Sequence, residues 1–284
     1  MKPAPFHYHQ PRSLAEMLGL LKEYGEDGKV LAGGQSLVPA MNFRLARPQH
    51  LFDLNRLVEL DFLRIESSVL CIGALTRHAA FHLPPAKLPL AQLLSEIVHY
   101  IAHAPIRERG TFCGSLAHAD PASEWCLVAA TLDARMVVRG AGGERSISAD
   151  AFFRGPFTTD LHADELLSEV RLPVHDAGWR GGFYEFARRA GDFALAMALA
   201  AARIEGGIVK EARLGVGAVA DRPLRLGELE RQMIGARADA ALCAAVGAAA
   251  RAAVEPVEDI HASAEYRKDL IGTVVKRALL RACT

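Results

Sequence analysis

The chain has 284 residues, 51% of them apolar and 23% charged, with 33 basic residues balanced by 33 acidic ones. That length suits one large domain or two modest ones with ample buried core. A net charge of zero and a pI near 7.2 exclude a basic footprint for nucleic acid or an anionic membrane surface. The amino terminus lacks the basic-then-apolar pattern of a secretory signal. The longest uncharged apolar runs, Phe193–Ala202 and Ala240–Ala250, are too short to span a bilayer. They read as buried alanine-rich helices, and a cytoplasmic location is expected. Five cysteines, at 71, 113, 126, 243 and 283, are scattered without any C-x-x-C, which argues against a disulfide framework or a four-thiolate cluster.

Ser13 followed by Glu16 resembles a capping box and predicts a helix from Leu14 to about Tyr24, broken at Gly25–Gly28. Val30 and Leu31 read as the end of a buried strand, the first of the chain. Gly33 and Gly34 follow at once, then Gln35 and Ser36. Adjacent glycines allow positive φ and close approach to a ligand, and successive N–H groups in such a turn form a concavity suited to phosphate. Pro39 is compatible with a short helix opening there. Taken alone, the segment is also an ordinary strand–loop turn.

Strands are expected at His50–Leu54 and Val69–Ile72, with a short turn or helix at Asn55–Leu60, and a helix over Leu88–Tyr100. Arg107-Glu-Arg-Gly-Thr-Phe-Cys-Gly-Ser115 is a second small, polar segment. It leads to a turn at Pro121 and a helix over Glu124–Leu132. Thr131–Val138 and Arg145–Ser148 suggest a hairpin, and Leu166–Leu172 a strand ending at Pro173. The break Pro173–Gly182, with Gly178, Gly181 and Gly182, predicts an interdomain link. Beyond it come a strand near Phe183–Ala187, the alanine-rich helix from about Phe193, and strands at Ala202–Glu205 and Ala212–Val219. A helical tail follows at Gly227–Glu230, Ala238–Val254 and Ser263–Arg281. This order suits an α+β fold rather than βαβ repeats. Gly215-Val-Gly-Ala-Val-Ala220 matches G-x-G-x-x-A, but Asp221–Pro223 stands where a helix N-terminus is required, so it is read as a decoy.

Two phosphate-suited loops can converge on the two phosphates of one dinucleotide, although neither has the Rossmann spacing. Five ordered motifs then carry a resemblance: Ala32-Gly-Gly-Gln-Ser-Leu37, Ile72-Gly-Ala-Leu-Thr76, Arg109-Gly-Thr-Phe-Cys-Gly-Ser-Leu-Ala-His-Ala-Asp-Pro-Ala122, Gly155-Pro-Phe-Thr158 and Arg188-Arg-Ala-Gly-Asp-Phe193. With them the chain resembles the FAD-binding medium subunit of the molybdenum hydroxylases, which include aerobic carbon monoxide dehydrogenase and relatives of xanthine dehydrogenase. The resemblance runs from Phe6-His-Tyr8 to Tyr266–Ile271. It implies a two-subdomain FAD-binding domain of the vanillyl-alcohol oxidase (PCMH) type over residues 1–175. Residues 176–284 are expected to form a small antiparallel sheet with helices.

By the same resemblance FAD is held non-covalently. Ala32, Gly33, Gly34, Gln35, Ser36 and Leu37 form one half of a pyrophosphate clamp, and Thr111, Gly114, Ser115 and Ala117 belong to the other. Asp120 and Glu124 are expected on FAD hydroxyls, the alternative being capping of the following helix. Ile101, Ala102 and Leu167 pack against the flavin ring or are plain core. Cys113 departs from the glycine common in the family, and Tyr184 and Glu185 stand where a lysine is frequent. His118 reads as a loop histidine packed beside the cofactor. His99 and His103 have metal-like i, i+4 spacing but no third ligand, so no metal is expected. No catalytic residue is assigned to this chain. The implied function is electron transfer: a large subunit carries the molybdenum cofactor, a small one carries two [2Fe–2S] centres, and FAD passes electrons to an external acceptor within a heterohexamer. The residues also leave open a stand-alone flavin oxidoreductase and a non-catalytic flavin-binding protein.

Overall fold

The computed structural model describes residues 2–174 and 176–283. The chain opens on β1 (His7–His9), α1 (Leu14–Tyr24), β2 (Gly28–Leu31), α2 (Leu37–Asn42) and β3 (His50–Asp53). The three strands pair in parallel in the order β1-β3-β2, with a helix in each crossover. The start of α1 is as expected. Ser13 Oγ accepts from the Glu16 N–H at 3.2 Å, and the Glu16 carboxylate accepts from the Arg12 N–H at 2.7 Å. Met17 and Leu21 are the residues this helix buries. Val30 and Leu31, expected to be buried, are only half-buried because β2 is an edge strand, and the first strand of the chain is β1, not the one they end.

A second subdomain contains β4 (Leu63–Glu66), β5 (Val69–Gly73), α3 (Pro89–Ile97), α4 (Ala104–Arg107), α5 (Phe112–His118), α6 (Glu124–Thr131), β6 (Arg135–Gly140), β7 (Gly143–Ser148), α7 (Ala149–Phe152), β8 (Phe153–Gly155), β9 (Thr158–Thr159) and β10 (Glu165–Pro173). Its five-stranded sheet runs β4-β5-β10-β6-β7, antiparallel throughout, with β10 central and covered on both faces. The hairpin begins at Arg135 rather than Thr131. Thr131 closes α6, and Asp133 turns the chain at φ +57°.

The third unit contains β11 (Trp179–Phe186), β12 (Ala196–Glu205), β13 (Ile208–Gly217), β14 (Leu224–Arg225), α8 (Gly227–Met233), α9 (Ala240–Ala253) and α10 (Ala264–Cys283). Its four strands form an antiparallel sheet in chain order. Here the alanine-rich run is a strand, not the expected helix. Alternate residues serve different cores: Ala196, Ala198, Ala200 and Ala202 join the core under α9 and α10, while Met197, Leu199 and Ala201 join that of the flanking subdomain. Burial on both faces overrides the helix propensity of alanine.

The expected link Pro173–Gly182 is likewise partly strand. Trp179 begins β11, and the glycines there serve close packing rather than flexibility. A Cβ on Gly182 would lie 2.1 Å from the Ala278 carbonyl oxygen of α10, and one on Gly181 would lie 2.5 Å from Leu93 of α3. In the decoy motif, Gly215 lies in β13 with its absent Cβ 2.1 Å from Thr131 Oγ1. These glycines let the helices lie close on the sheet.

Candidate cofactor site

The turn after β2 is fixed by backbone chemistry. Gly34 has φ +73°, a left-handed conformation that favours glycine. Gly33 lies against the second loop so closely that a Cβ would sit 2.4 Å from the Arg109 carbonyl oxygen and 2.7 Å from Gly110 Cα. Asn55 Nδ2 donates to the Ala32 carbonyl at 3.0 Å, and Gln35 Nε2 to the Gly33 carbonyl at 3.1 Å. The carbonyls of Gly34 and Ser36 are taken by Val38 and Ala40 of α2. Among the described residues, none of the N–H groups of Gly33, Gly34, Gln35 and Ser36 meets an acceptor, and the Ser36 hydroxyl caps nothing. Four consecutive unengaged donors on a glycine turn form a concavity for an anion.

That concavity opens on a cavity of about 400 Å³, lined by this turn together with Leu31, Asp53, Asn55 and Arg109. The Arg77 guanidinium ties two of its lining residues together, donating to the Arg109 carbonyl and to Asn55 Oδ1. Burial would raise the Asp53 carboxyl, but hydrogen bonds from Tyr8 and Asn55 hold it below the usual carboxylate range, so it stays ionised. A larger cavity, about 630 Å³, lies away from the glycine turn, between β6–α7 and β13–α8. Its Arg213 and Arg225 are already paired with Asp133 and Glu230.

The second loop meets the first through Arg109 and Gly110, while its other assigned residues stand differently. Thr111 is buried, and its hydroxyl caps α5 by accepting from the Gly114 N–H at 3.1 Å. Ser115 N–H is taken by the Thr111 carbonyl. Gly114 and Ser115 are half-buried and Ala117 is exposed. Cys113 fits without distortion, because its thiol turns inward to the Ile72 and Gly73 carbonyls at 3.6 and 3.4 Å.

Ser123, not Asp120 or Glu124, caps α6, accepting from the Cys126 N–H. Asp120 closes an Asx turn on the Ala122 N–H at 2.9 Å. Glu124 is thus free of a capping role, and burial, with Asp120 nearby, pushes its carboxyl up to about 7. His118 packs on Phe157 at 5.0 Å between ring centroids. Ile101 and Leu167 are buried in one core, and Ala102 has φ +42°, its carbonyl accepting from Arg107 at 3.0 Å.

Asp53, Asn55, Arg77 and His78 carry no expected role in the sequence, yet Asp53 orients Asn55 on the first turn while Arg77 and His78 hold the Arg109 and Gly110 carbonyls of the second loop. A signal is present in Asp53-Leu-Asn55, polar residues at a strand end. Another lies in Thr76-Arg-His78, directly after the Ile72–Leu75 run.

A glycine turn with unengaged donors, walled by a second loop and backed by an antiparallel α+β unit, defines the class: a module that cradles the phosphate of a bound cofactor. Residues 4–175 match the family of FAD binding domains in molybdopterin dehydrogenases, and residues 182–282 match the carbon monoxide dehydrogenase flavoprotein C-terminal domain. The carbon monoxide dehydrogenase medium chain of Hydrogenophaga pseudoflava is 36% identical, covering 98% of this chain and 97% of that one. The caffeine dehydrogenase subunit beta of Pseudomonas sp. (strain CBB1) is 38% identical, covering 99% and 96%. A solved carbon monoxide dehydrogenase from Hydrogenophaga pseudoflava, lacking the Mo-pyranopterin moiety of its molybdenum cofactor, superposes with a TM-score of 0.95 at 37% identity over 100% of each chain. The chain belongs to the family of FAD-binding medium subunits of the molybdenum hydroxylases.

Proposed function

We propose that this chain is the subunit that holds FAD in a molybdenum hydroxylase complex and relays electrons from a partner's [2Fe–2S] centres to an external acceptor. The observation that carries this reading is the row of unengaged N–H groups from Gly33 to Ser36, set against Arg109. Ala32 to Leu37 hold the pyrophosphate, with Thr111, Gly114, Ser115 and Ala117 on its other side. Asp120 and Glu124 orient the hydroxyls of the chain between phosphate and flavin. Ile101, Ala102 and Leu167 wall the ring and exclude water from it. When bound, FAD supplies the exchange between one-electron and two-electron steps, and the protein supplies position and electrostatics.

A flavin domain to about residue 175 and a C-terminal domain from 176 is the division we adopt, supported by family matches that end at 175 and resume at 182. The partners are a large molybdenum-binding subunit and a small iron–sulfur subunit, in a heterohexamer of paired trimers. A cytoplasmic location is in keeping with five buried, unpaired cysteines. Among the described residues no helix is long and apolar enough to cross a membrane.

Affinity purification from the native host, with flavin and metal analysis, tests the reading. Co-purification with molybdenum and iron–sulfur polypeptides supports it. A flavin-loaded chain that turns over an electron donor unaided would instead establish a stand-alone oxidoreductase, and flavin that no partner reduces would establish a mere flavin holder.

A further inference from the structure

The strand that opens the chain reaches the glycine turn through one carboxylate. In the order β1-β3-β2, β1 and β2 are the two edges, and the turn leaves the end of β2. Leu31, the last residue of β2, is in register with Asp53 at the end of β3, and Tyr8 of β1 is in register with Leu51. Side chains alternate along a strand, so Tyr8, Leu51 and Asp53 share one face, and the Tyr8 hydroxyl donates to Asp53 Oδ2.

β1 has only three residues, and side chains on both of its faces hold it. On the face opposite Tyr8, His9 Nε2 and His50 Nδ1 share a hydrogen bond of 2.9 Å, and Tyr24 of α1 stacks on His50 at 4.3 Å between ring centroids. The His7 N–H donates to the Gln49 carbonyl at 2.7 Å. Tyr8 itself is 52% exposed, so its ring adds little to the core, and its hydroxyl is the part that is engaged.

From Asp53 the hydrogen bonds run inward. Asp53 Oδ1 accepts from the Asn55 N–H at 2.9 Å and from Asn55 Nδ2 at 2.5 Å. An ionised carboxylate only accepts, so it fixes the Asn55 amide with its nitrogen toward Asp53 and its oxygen toward the Arg77 guanidinium. Asn55 Nδ2 also donates to the Ala32 carbonyl at 3.0 Å. The peptide unit is planar and trans, so pinning that carbonyl aims the Gly33 N–H the opposite way. That N–H is the first of the four unengaged donors. Asp53 and Asn55 line the cavity on which the turn opens, and Tyr8 stands behind them.

We propose that Tyr8 is a positioning residue of the cofactor site: acting through Asp53 and Asn55, it holds the glycine turn in the conformation that presents its N–H row to the FAD pyrophosphate. The inference rests on the flavin reading above. Burial raises the Asp53 carboxyl, and hydrogen bonds, that from Tyr8 first, bring it below the ordinary range. Of the nearby cations, Arg56 faces Tyr8 and Arg77 faces Asp53. Loss of the Tyr8 hydroxyl lets the carboxyl rise, and a protonated Asp53 no longer fixes the Asn55 amide.

FAD affinity of the 284-residue chain, followed by flavin fluorescence from pH 4 to 8, tests this in wild type, Tyr8→Phe, Asp53→Asn and the double variant. Tyr8→Phe, which keeps the ring and the strand pairing, should bind FAD roughly tenfold more weakly at pH 7, with the unfolding midpoint little changed. On acidification its affinity should begin to fall at a higher pH than that of wild type, and this earlier fall should be absent when residue 53 is Asn. Groups common to all four proteins, His78 among them, cancel in the comparison. In the Asp53→Asn background Tyr8→Phe should cost no further affinity, as for two residues acting in one chain. Unchanged affinity in Tyr8→Phe, or the same loss with and without the Asp53 carboxylate, overturns the positioning role. A loss of affinity with no displacement of the acid fall makes Tyr8 a mere strand anchor and overturns it likewise. A wild-type chain that binds no FAD at any pH overturns the flavin reading and the positioning role with it.

Discussion

The indole N–H of Trp125 donates to His78 Nδ1 at 3.0 Å, and this buried bond ties α6 to the floor of the second loop. The His78 N–H donates to the Gly110 carbonyl at 2.9 Å, and a Cβ on Gly110 would lie 2.5 Å from His78 Nε2. Indole, imidazole and loop backbone are therefore linked in direct contact. Burial, and then the charges of Arg77 and Arg107, push His78 down to about 4. The ring is neutral, with Nδ1 the acceptor.

Replacing His78 with Phe leaves the Trp125 N–H buried and unpaired. We expect a loss of about 1–3 kcal/mol in denaturant unfolding. The wild-type stability has a matching pH dependence. The unfolded histidine titrates at its ordinary 6.5 and the folded one near 4, so the unfolded state binds the extra proton. Stability is full above 6.5 and falls as the pH drops toward 4, with a slope of at most about 1.4 kcal/mol per pH unit. His78→Phe should lose that component, and an unchanged slope would rule His78 out as its source.

Gly33→Ala tests the seam between the two loops. The new methyl would meet the Arg109 carbonyl oxygen at 2.4 Å, backbone against backbone, so one loop must move. FAD affinity should fall by an order of magnitude or more, about 1.4 kcal/mol per tenfold, with the far-ultraviolet circular dichroism unchanged. Wild-type affinity would show that the seam plays no part in binding.

Gly19→Ala provides the opposite sign. Gly19 lies inside α1 with nothing within 4 Å of the position its Cβ would take. The change should stabilise the chain by about 0.5–1 kcal/mol through helix propensity, and leave FAD binding untouched. Thermal unfolding measures the first effect and flavin titration the second.

Gly182→Ala addresses the union of β11 with α10. Its Cβ would stand 2.1 Å from the Ala278 carbonyl oxygen and 2.7 Å from Arg281 Cβ. Neither neighbour is the free end of a flexible side chain. Overpacking of this kind should cost about 1–3 kcal/mol, visible as a lower denaturant midpoint. An unchanged midpoint would mean that α10 is less tightly held than its contacts indicate.

Asp133 joins the turn after α6 to the C-terminal sheet, accepting from Arg213 Nε at 2.8 Å and from Arg225. It also holds φ +57°. Asp133→Asn keeps tolerance of that backbone and loses only charge, at a cost of about 0.5 kcal/mol for a partly exposed pair. Asp133→Ala adds left-handed strain of about 1 kcal/mol more. Equal unfolding midpoints for the two variants would show that the turn is not strained.

The amino-acid sequence by itself determined the α+β class, the limits of α1, and the Ala32–Ser36 turn. Local chemistry specifies each of these: Ser13 and Glu16 satisfy helix amides, and Gly34 takes a φ of +73°. The helices of the tail were legible for the same reason, with Asp239 Oδ1 capping α9 through the Leu242 N–H at 2.9 Å. Tertiary structure decided the rest. Ala196–Ala202 carries a helix former's composition, yet it becomes a strand because two cores press on its two faces. Asn55 is distant from the glycine turn in sequence yet holds its Ala32 carbonyl, while Arg77 and His78 hold the Arg109 and Gly110 carbonyls of the loop that walls it. The buried oxygen of Glu185, which meets no hydrogen-bond partner among the described residues, reflects how β11 packs on the flanking subdomain, an arrangement between segments that spacing along the chain does not encode.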